Sequence, residues 1–472
     1  MQVPVSWLRD HVDLPEGLPA AELAARLTAV GLKLERLTTP GAEVAGPLVL
    51  GRVVSAEPET HSNGKTTRWC QVDVGPEHGR RGIVCGATNV DAGDLVVVAL
   101  PGTSLPGGME IAARKTYGHV SDGMICSDRE LGTGSDHRGI LVLPPGSGVP
   151  GDDAAEALQL RDDVIEFEIN PDRAYALSVR GVARDTGLAL GAAFRDPASA
   201  DAAASAAEPA DYPVVVEDAE ACPVFVTRTV TGFDPTAPTP LWMARRIQLA
   251  GMRPIALAVD VTNYVMLELG QPIHGYDRDL LQGPLVVRRA RPGERLRTLD
   301  DVERALDPED LLITDDRGPI GLAGVMGGQS TEIGPGTTAV VIEAAHFAAA
   351  PVARCARRHR LGSEASRRFE RGVDPRLPPV AAARVADLMV RLGGGVVEPG
   401  VTTVGEPPPL PSIELAAGLP ARVTGIDIDA DTAVAALRAV GCEVSGSTPL
   451  TVVPPSWRPD VTDPYDLVEE VA

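Results

Sequence analysis

Apolar residues recur along this chain with two different periods, and the alternation between them divides it. After Pro19, Leu23, Leu27 and Val30 fall at helical spacing and Gly31 is placed to end the turn, which predicts one short amphipathic helix in residues 1–38, a small unit that must dock on something else. From residue 39 to 150 the pattern changes to short Val/Ile/Leu runs broken by Gly and Pro: LVLGRVVSAE, WCQVDVG, GIVCGA, LVVVALPG, SDGMICS and GILVLP. Regular short strands with turn signals predict an all-β barrel or sandwich of one-domain size. Residues 151–192 read as a strand, a turn at Asn170, Pro171 and Asp172, and a helix through Leu188, followed by an Ala/Ser/Asp/Pro-rich linker over 193–211. Residues 212–397 mix strands (PVVVE, PLVVRRA, AVVIEAA) with helices (PLWMARRIQLAG and an Arg-rich run), and a Gly/Pro-rich stretch over 398–412 reads as a second linker. A smaller α/β unit occupies 413–472, with Asp431 expected to cap a helix carrying Val434, Leu437 and Val440. The fold class is therefore multidomain α+β. The last residues, DLVEEVA, form an acidic helical pattern with no stop signal, so a fragment of a longer polypeptide is expected.

Length supports this division, since 472 residues are too many for one core. With 43 basic and 65 acidic residues the net charge is −22, which excludes a protein that coats nucleic acid by bulk charge and confines any such contact to local patches. The cysteines Cys70, Cys85, Cys126, Cys222, Cys355 and Cys442 form no C-x-x-C pair, so free thiols in a reducing cytoplasm are expected, and nothing reads as an export signal or membrane span.

Several stretches carry candidate chemistry. GQPIHGYD (270–277) puts His274 just past the helical run TNYVMLEL, where it is either a turn or capping residue or part of a site. The Gly-rich GLAGVMGGQ (321–329) lacks the ending of a P-loop and reads as a tight turn. Glu343 interrupts the apolar run AVVIEAAHF, so it is either on the wet face of a strand or buried for a purpose. The run RCARRHRLGSEASRRFER is the most basic patch of an acidic chain, readable as a solvated helix face or as a phosphate contact. Near the end Asp466, Glu469 and Glu470 share one helical face with Asp460 close by. Such a set suits magnesium, although acidic residues also favour the positive end of a helix.

DVTNYVMLELGQPIHGYD, GVMGGQSTEI, VIEAAHF and ASRRFERGVDP together resemble the editing domain of the bacterial phenylalanine-tRNA ligase β subunits. The SWL start, the strands of an OB-type barrel and the final DLVEEVA resemble that family's other modules in order. The resemblance implies an α2β2 heterotetramer in the cytoplasm, with no role for membrane or DNA. In it an α subunit binds ATP and charges tRNA(Phe), while β binds tRNA and hydrolyses mischarged Tyr-tRNA(Phe). It implies an editing pocket of Arg253, Thr262, Asn263, His274, Glu343, Ser363 and Ala365, with Glu343 reading the tyrosine hydroxyl, and Mg2+ held by Asp460, Asp466, Glu469 and Glu470 jointly with α. It also implies that the family's catalytic-like core and C-terminal anticodon-binding domain are absent. A tRNA-binding module with a vestigial pocket, and a free-standing trans-editing factor, are the competing readings.

Overall fold

A computed structural model describes residues 1–134, 138–199 and 211–472. The amphipathic helix forms at Ala20–Ala29 and buries Leu23 and Leu27, with Gly31 at φ +101° turning the chain behind it. Its partner is the strand–helix segment: Val164–Glu168 lies between Gln2–Pro4 and Lys33–Thr38 in an antiparallel three-stranded sheet, and the helix Val179–Leu190 packs beside Ala20–Ala29. Two segments separated by more than 100 residues thus complete one small unit.

Between them, Leu48–Thr60, Thr66–Asp73, Arg80–Cys85, Leu95–Ala99, Met124–Ile125 and Val142–Leu143 build one antiparallel sheet. Period-two alternation gives it two cores. Leu48 and Leu50 enter one and Val49 and Val53 the other, so both faces are covered.

The largest block contains two sheets. One runs in the order Val214–Val216, Leu285–Arg289, Leu311–Asp315, Gly318–Leu322, Met326–Gly327, with the first pair parallel and the rest antiparallel. The other is centred on Ala339–His346, flanked by Ile273–Asp277 and Val224–Thr231, all antiparallel. In Ala339–His346, Val340, Ile342 and Ala344 enter a core shared with the helices Leu257–Leu269 and Pro378–Gly393, whereas Val341 and Ala345 enter a second core facing the first sheet.

Three expectations need correction. The stretch 398–412 is not simply a linker: Thr402–Gly405 pairs with Val224–Thr227, because that strand has an open edge and the Thr/Val sequence supplies a matching ladder. Within 193–211, Arg195 donates to the carbonyls of Arg9 and Asp10 and Asp196 accepts from Arg180, so its start is pinned, while residues 200–210 lie outside those described. In the last unit the helix Ala430–Ala439 is capped by Asp429, which accepts from the Thr432 N–H at 2.7 Å; Asp431 falls inside the first turn.

Candidate active site

His274 stands on a strand, not in a turn. Gly270, at φ +88°, ends the helix Leu257–Leu269, and the buried Gln271 donates to the Ala345 carbonyl at 2.8 Å, which aligns the following residues with the central strand. Ile273–Asp277 then pairs with it so that His274 lies directly opposite Glu343. Opposed residues share a face, and for Glu343 that is the face carrying Val341 and Ala345. The carboxylate is 6% exposed, so it occupies a place that alternation assigns to the core. The wet-face alternative is excluded, because the residue is buried.

Tyr276, two residues beyond His274 on the same face, completes the group: its phenol donates to Oε2 of Glu343, and its ring meets the imidazole edge to face, with centroids 4.5 Å apart at 83°. Around these three side chains the hairpin Gly318–Leu322/Met326–Gly327, Phe347, and Ala365 and Phe369 of the helix Glu364–Phe369 close a small cavity. The Gly-rich stretch is therefore the turn of a hairpin, with Gly324 at φ +69°, and Gly327 lies beneath the imidazole.

Burial dominates the electrostatics. Removal from water pushes Glu343 up to about 7, an effect the Tyr276 hydrogen bond partly offsets. It also lowers His274 to about 4. The imidazole is therefore neutral at physiological pH and a poor base, and its buried Nε2 has no partner among the described residues. The arrangement offers one carboxylate with a single donor among the described residues and one neutral imidazole, in a small cavity lined mainly by apolar residues and glycines, so a polar hydrogen brought in by a ligand would find an acceptor in Glu343.

Of the expected pocket residues, the structure brings His274, Glu343 and Ala365 together. Ser363 acts from behind: it caps the helix Glu364–Phe369, accepting from the Ser366 N–H at 3.0 Å and donating to the Val325 carbonyl at 2.7 Å, which clamps the hairpin turn. Thr262 spends its hydroxyl on the Val259 carbonyl within its own helix, and Asn263 is half-buried on the same helix. Arg253 is exposed and lines a separate cleft of about 740 Å³ between Asp128, Leu141 and Leu158 on one side and the helix Leu241–Leu249 on the other. Those four do not reach the cavity wall. Tyr276 was not anticipated; its signal was the period-two spacing from His274, hidden by reading the segment as a turn.

The basic run resolves into two groups. Arg358 pairs with Asp310 and Glu309, Arg368 is buried and donates to Glu364 and the Leu177 carbonyl, and Arg371 donates to the Ile169 carbonyl, so these hold neighbouring elements together. Arg354, Arg357 and Arg360 remain exposed.

The acidic quartet does not fit a magnesium ion as arranged. The Arg458 guanidinium donates to Asp460 at 2.7 Å and to Glu470 at 2.5 Å, separating the two carboxylates. Asp466 accepts from the Thr462 and Asp463 N–H groups at the start of the helix Pro464–Val471, and Glu469 is exposed. A local cation and the helix end have taken the charges that a metal would need. Among the described residues Asp310, Cys355 and His359 do converge at ligand spacing. Asp310, however, already accepts from Arg358, His359 and the Asp307 N–H, which makes it a structural node.

With this geometry in place, comparison with known proteins is decisive. Residues 48–153 match the model described as "Putative tRNA binding domain", 221–394 match "B3/4 domain" and 413–472 match "tRNA synthetase B5 domain". All of this chain aligns with a phenylalanine--tRNA ligase beta subunit from Thermobifida fusca at 55% identity, and with those from Streptomyces avermitilis at 54% and Leifsonia xyli at 52%. Over its whole length the chain is similar to phenylalanine-tRNA ligase beta subunits. It spans 57 to 58% of the length of those relatives. The cavity built by His274, Tyr276 and Glu343 lies within the residues that match the B3/4 domain. Among its described residues no helix is long and apolar enough to cross a membrane.

Proposed function

We propose that this chain is the tRNA-binding and proofreading part of a phenylalanine-tRNA ligase beta subunit, and that its cavity hydrolyses Tyr-tRNA(Phe). In this reading an α subunit binds ATP and charges tRNA(Phe), the two chains assemble as α2β2 in the cytoplasm, and residues 48–153 form an OB-type tRNA-binding barrel. One observation carries the proposal: Glu343 is buried opposite His274, between Val341 and Ala345 on its strand, and among the described residues Tyr276 is the one donor to its carboxylate.

Tyrosine differs from phenylalanine by one hydroxyl, and an apolar pocket rejects an added hydroxyl by only about 100-fold, so a second site that seeks that group is useful. Tyrosine entering the cavity donates its phenolic hydrogen to Glu343. Phenylalanine leaves the buried carboxylate short of a partner, at a cost of about 1–3 kcal/mol or more. Water then attacks the ester carbonyl carbon, the bond to the terminal ribose oxygen breaks, that oxygen takes a proton, and free tyrosine leaves. Neutral His274 orients the ester or the water through its unpartnered nitrogen. Arg253, exposed at the barrel cleft, suits a phosphate of the bound RNA. Magnesium has no step here, because Arg458 stands between two of the expected ligands.

The test is deacylation of Tyr-tRNA(Phe) and Phe-tRNA(Phe) by the parent, Glu343→Ala and His274→Ala. Selective cleavage of the tyrosyl ester by the parent, with the phenylalanyl ester admitted by Glu343→Ala, is the expected result. Unchanged deacylation in both variants rejects the assignment and leaves a tRNA-binding scaffold.

A further inference from the structure

We propose that Tyr276 sets the amino-acid selectivity of this cavity, by holding Oε2 of Glu343 so that Oε1 alone is left for the substrate's hydroxyl. The inference rests on the editing reading above and assigns a residue that neither the sequence nor the family match singles out.

An ionised carboxylate offers about four lone-pair sites and, when buried, needs donors for them. Among the described residues, Tyr276 is the one side chain that donates to Glu343. Its own placement leaves little freedom. The ring is 1% exposed, it pairs through the backbone with Val341, and it packs edge to face against His274. With the ring so held, the phenolic oxygen is fixed beside the diagonal neighbour Glu343 on the next strand, whose carboxylate takes its hydrogen.

Few other groups face this carboxylate. His274 stands opposite and is neutral, Cys222 lies before Val224–Thr231 with its thiol pushed up by burial, and Thr227 is the direct partner on that strand. The hairpin contributes apolar residues and glycines, and the helix Glu364–Phe369 contributes Ala365 and Phe369. The phenol is therefore the one group that favours the ionised carboxylate, against the burial that favours the protonated one. Held ionised, Glu343 is an acceptor, and only a substrate with a hydroxyl satisfies it. Freed of Tyr276, the carboxyl takes up a proton, can turn, and loses its objection to phenylalanine. Tyr276 is a positioning residue acting through Glu343.

The experiment compares the full chain with Tyr276→Phe in two readouts. Deacylation of tyrosyl and phenylalanyl esters of tRNA(Phe) is followed across pH, and the infrared carbonyl band of protonated Glu343, assigned with Glu343→Gln, is titrated without turnover. Tyr276→Phe is expected to lower the tyrosine-over-phenylalanine preference at neutral pH roughly 10- to 100-fold and to move the acid limb of tyrosyl-ester cleavage upward by about 1 to 2 in pH. The infrared midpoint moves by the same amount, with the thermal unfolding midpoint near that of the parent. An unmoved infrared midpoint, or a moved midpoint with selectivity intact, overturns the proposal. A midpoint moved by Tyr276→Phe, together with a parent that cleaves neither ester, rejects the editing reading itself and confines Tyr276 to holding a buried charge.

Discussion

A side chain on Gly327 would place its Cβ 2.3 Å from Cε1 of His274, closer than any real contact. The second strand of the hairpin can cross the imidazole only because that residue has no side chain, so the glycine-rich turn and the histidine form one feature.

Gly327→Ala is therefore expected to displace the imidazole, abolish selective deacylation and cost about 1–3 kcal/mol of stability, as overpacking does. Deacylation and urea unfolding on the same sample check this. A variant of unchanged activity would show that the cavity does not depend on that ring position.

Glu343 is expected to weaken the fold at neutral and alkaline pH. Its folded value, about 7, lies above the ordinary 4.5, so between those values the native state binds the proton more tightly. Stability falls as pH rises through that window, with no penalty below it. The difference is worth about 3 kcal/mol. Glu343→Gln should thus be more stable than the parent at pH 8 by up to that amount and similar to it at pH 4, in urea unfolding at both pH values.

Arg458 is expected to be structural and to exclude magnesium. Glu470 is 4% exposed at its side chain and bonded to Arg458, with the Arg173 guanidinium farther off at 3.9 Å, so Arg458→Met leaves a buried carboxylate poorly compensated and should cost up to about 3 kcal/mol. Millimolar magnesium should leave the thermal midpoint of the parent unmoved. A magnesium-dependent rise in the parent would show that the ion displaces the guanidinium.

Asp429→Ala is expected to cost about 1 kcal/mol through loss of the cap, and Asp431→Ala a few tenths at most. Equal effects in thermal unfolding would return the cap to Asp431.

Local pattern determined much of this protein. Helical spacing at Leu23 and Leu27, the short punctuated strands of residues 39–150, and the glycines that end helices are all consequences of chain stereochemistry and burial, which act over a few residues and are written in order. The motif residues His274 and Glu343 were legible as candidates for the same reason: a polar group breaking an apolar run stands out locally. What only tertiary structure decided is which partners those groups meet. A register between strands about 70 residues apart set Glu343 opposite His274 and diagonal to Tyr276. The same kind of long-range pairing drew Thr402–Gly405 out of a presumed linker and spent Ser363 on the Val325 carbonyl. Packing within the last unit also turned Arg458 onto Asp460 and Glu470, where the spacing of four acids had promised a metal. Composition and period report how much of a side chain is buried, whereas hydrogen-bond partners depend on a register that no single segment contains.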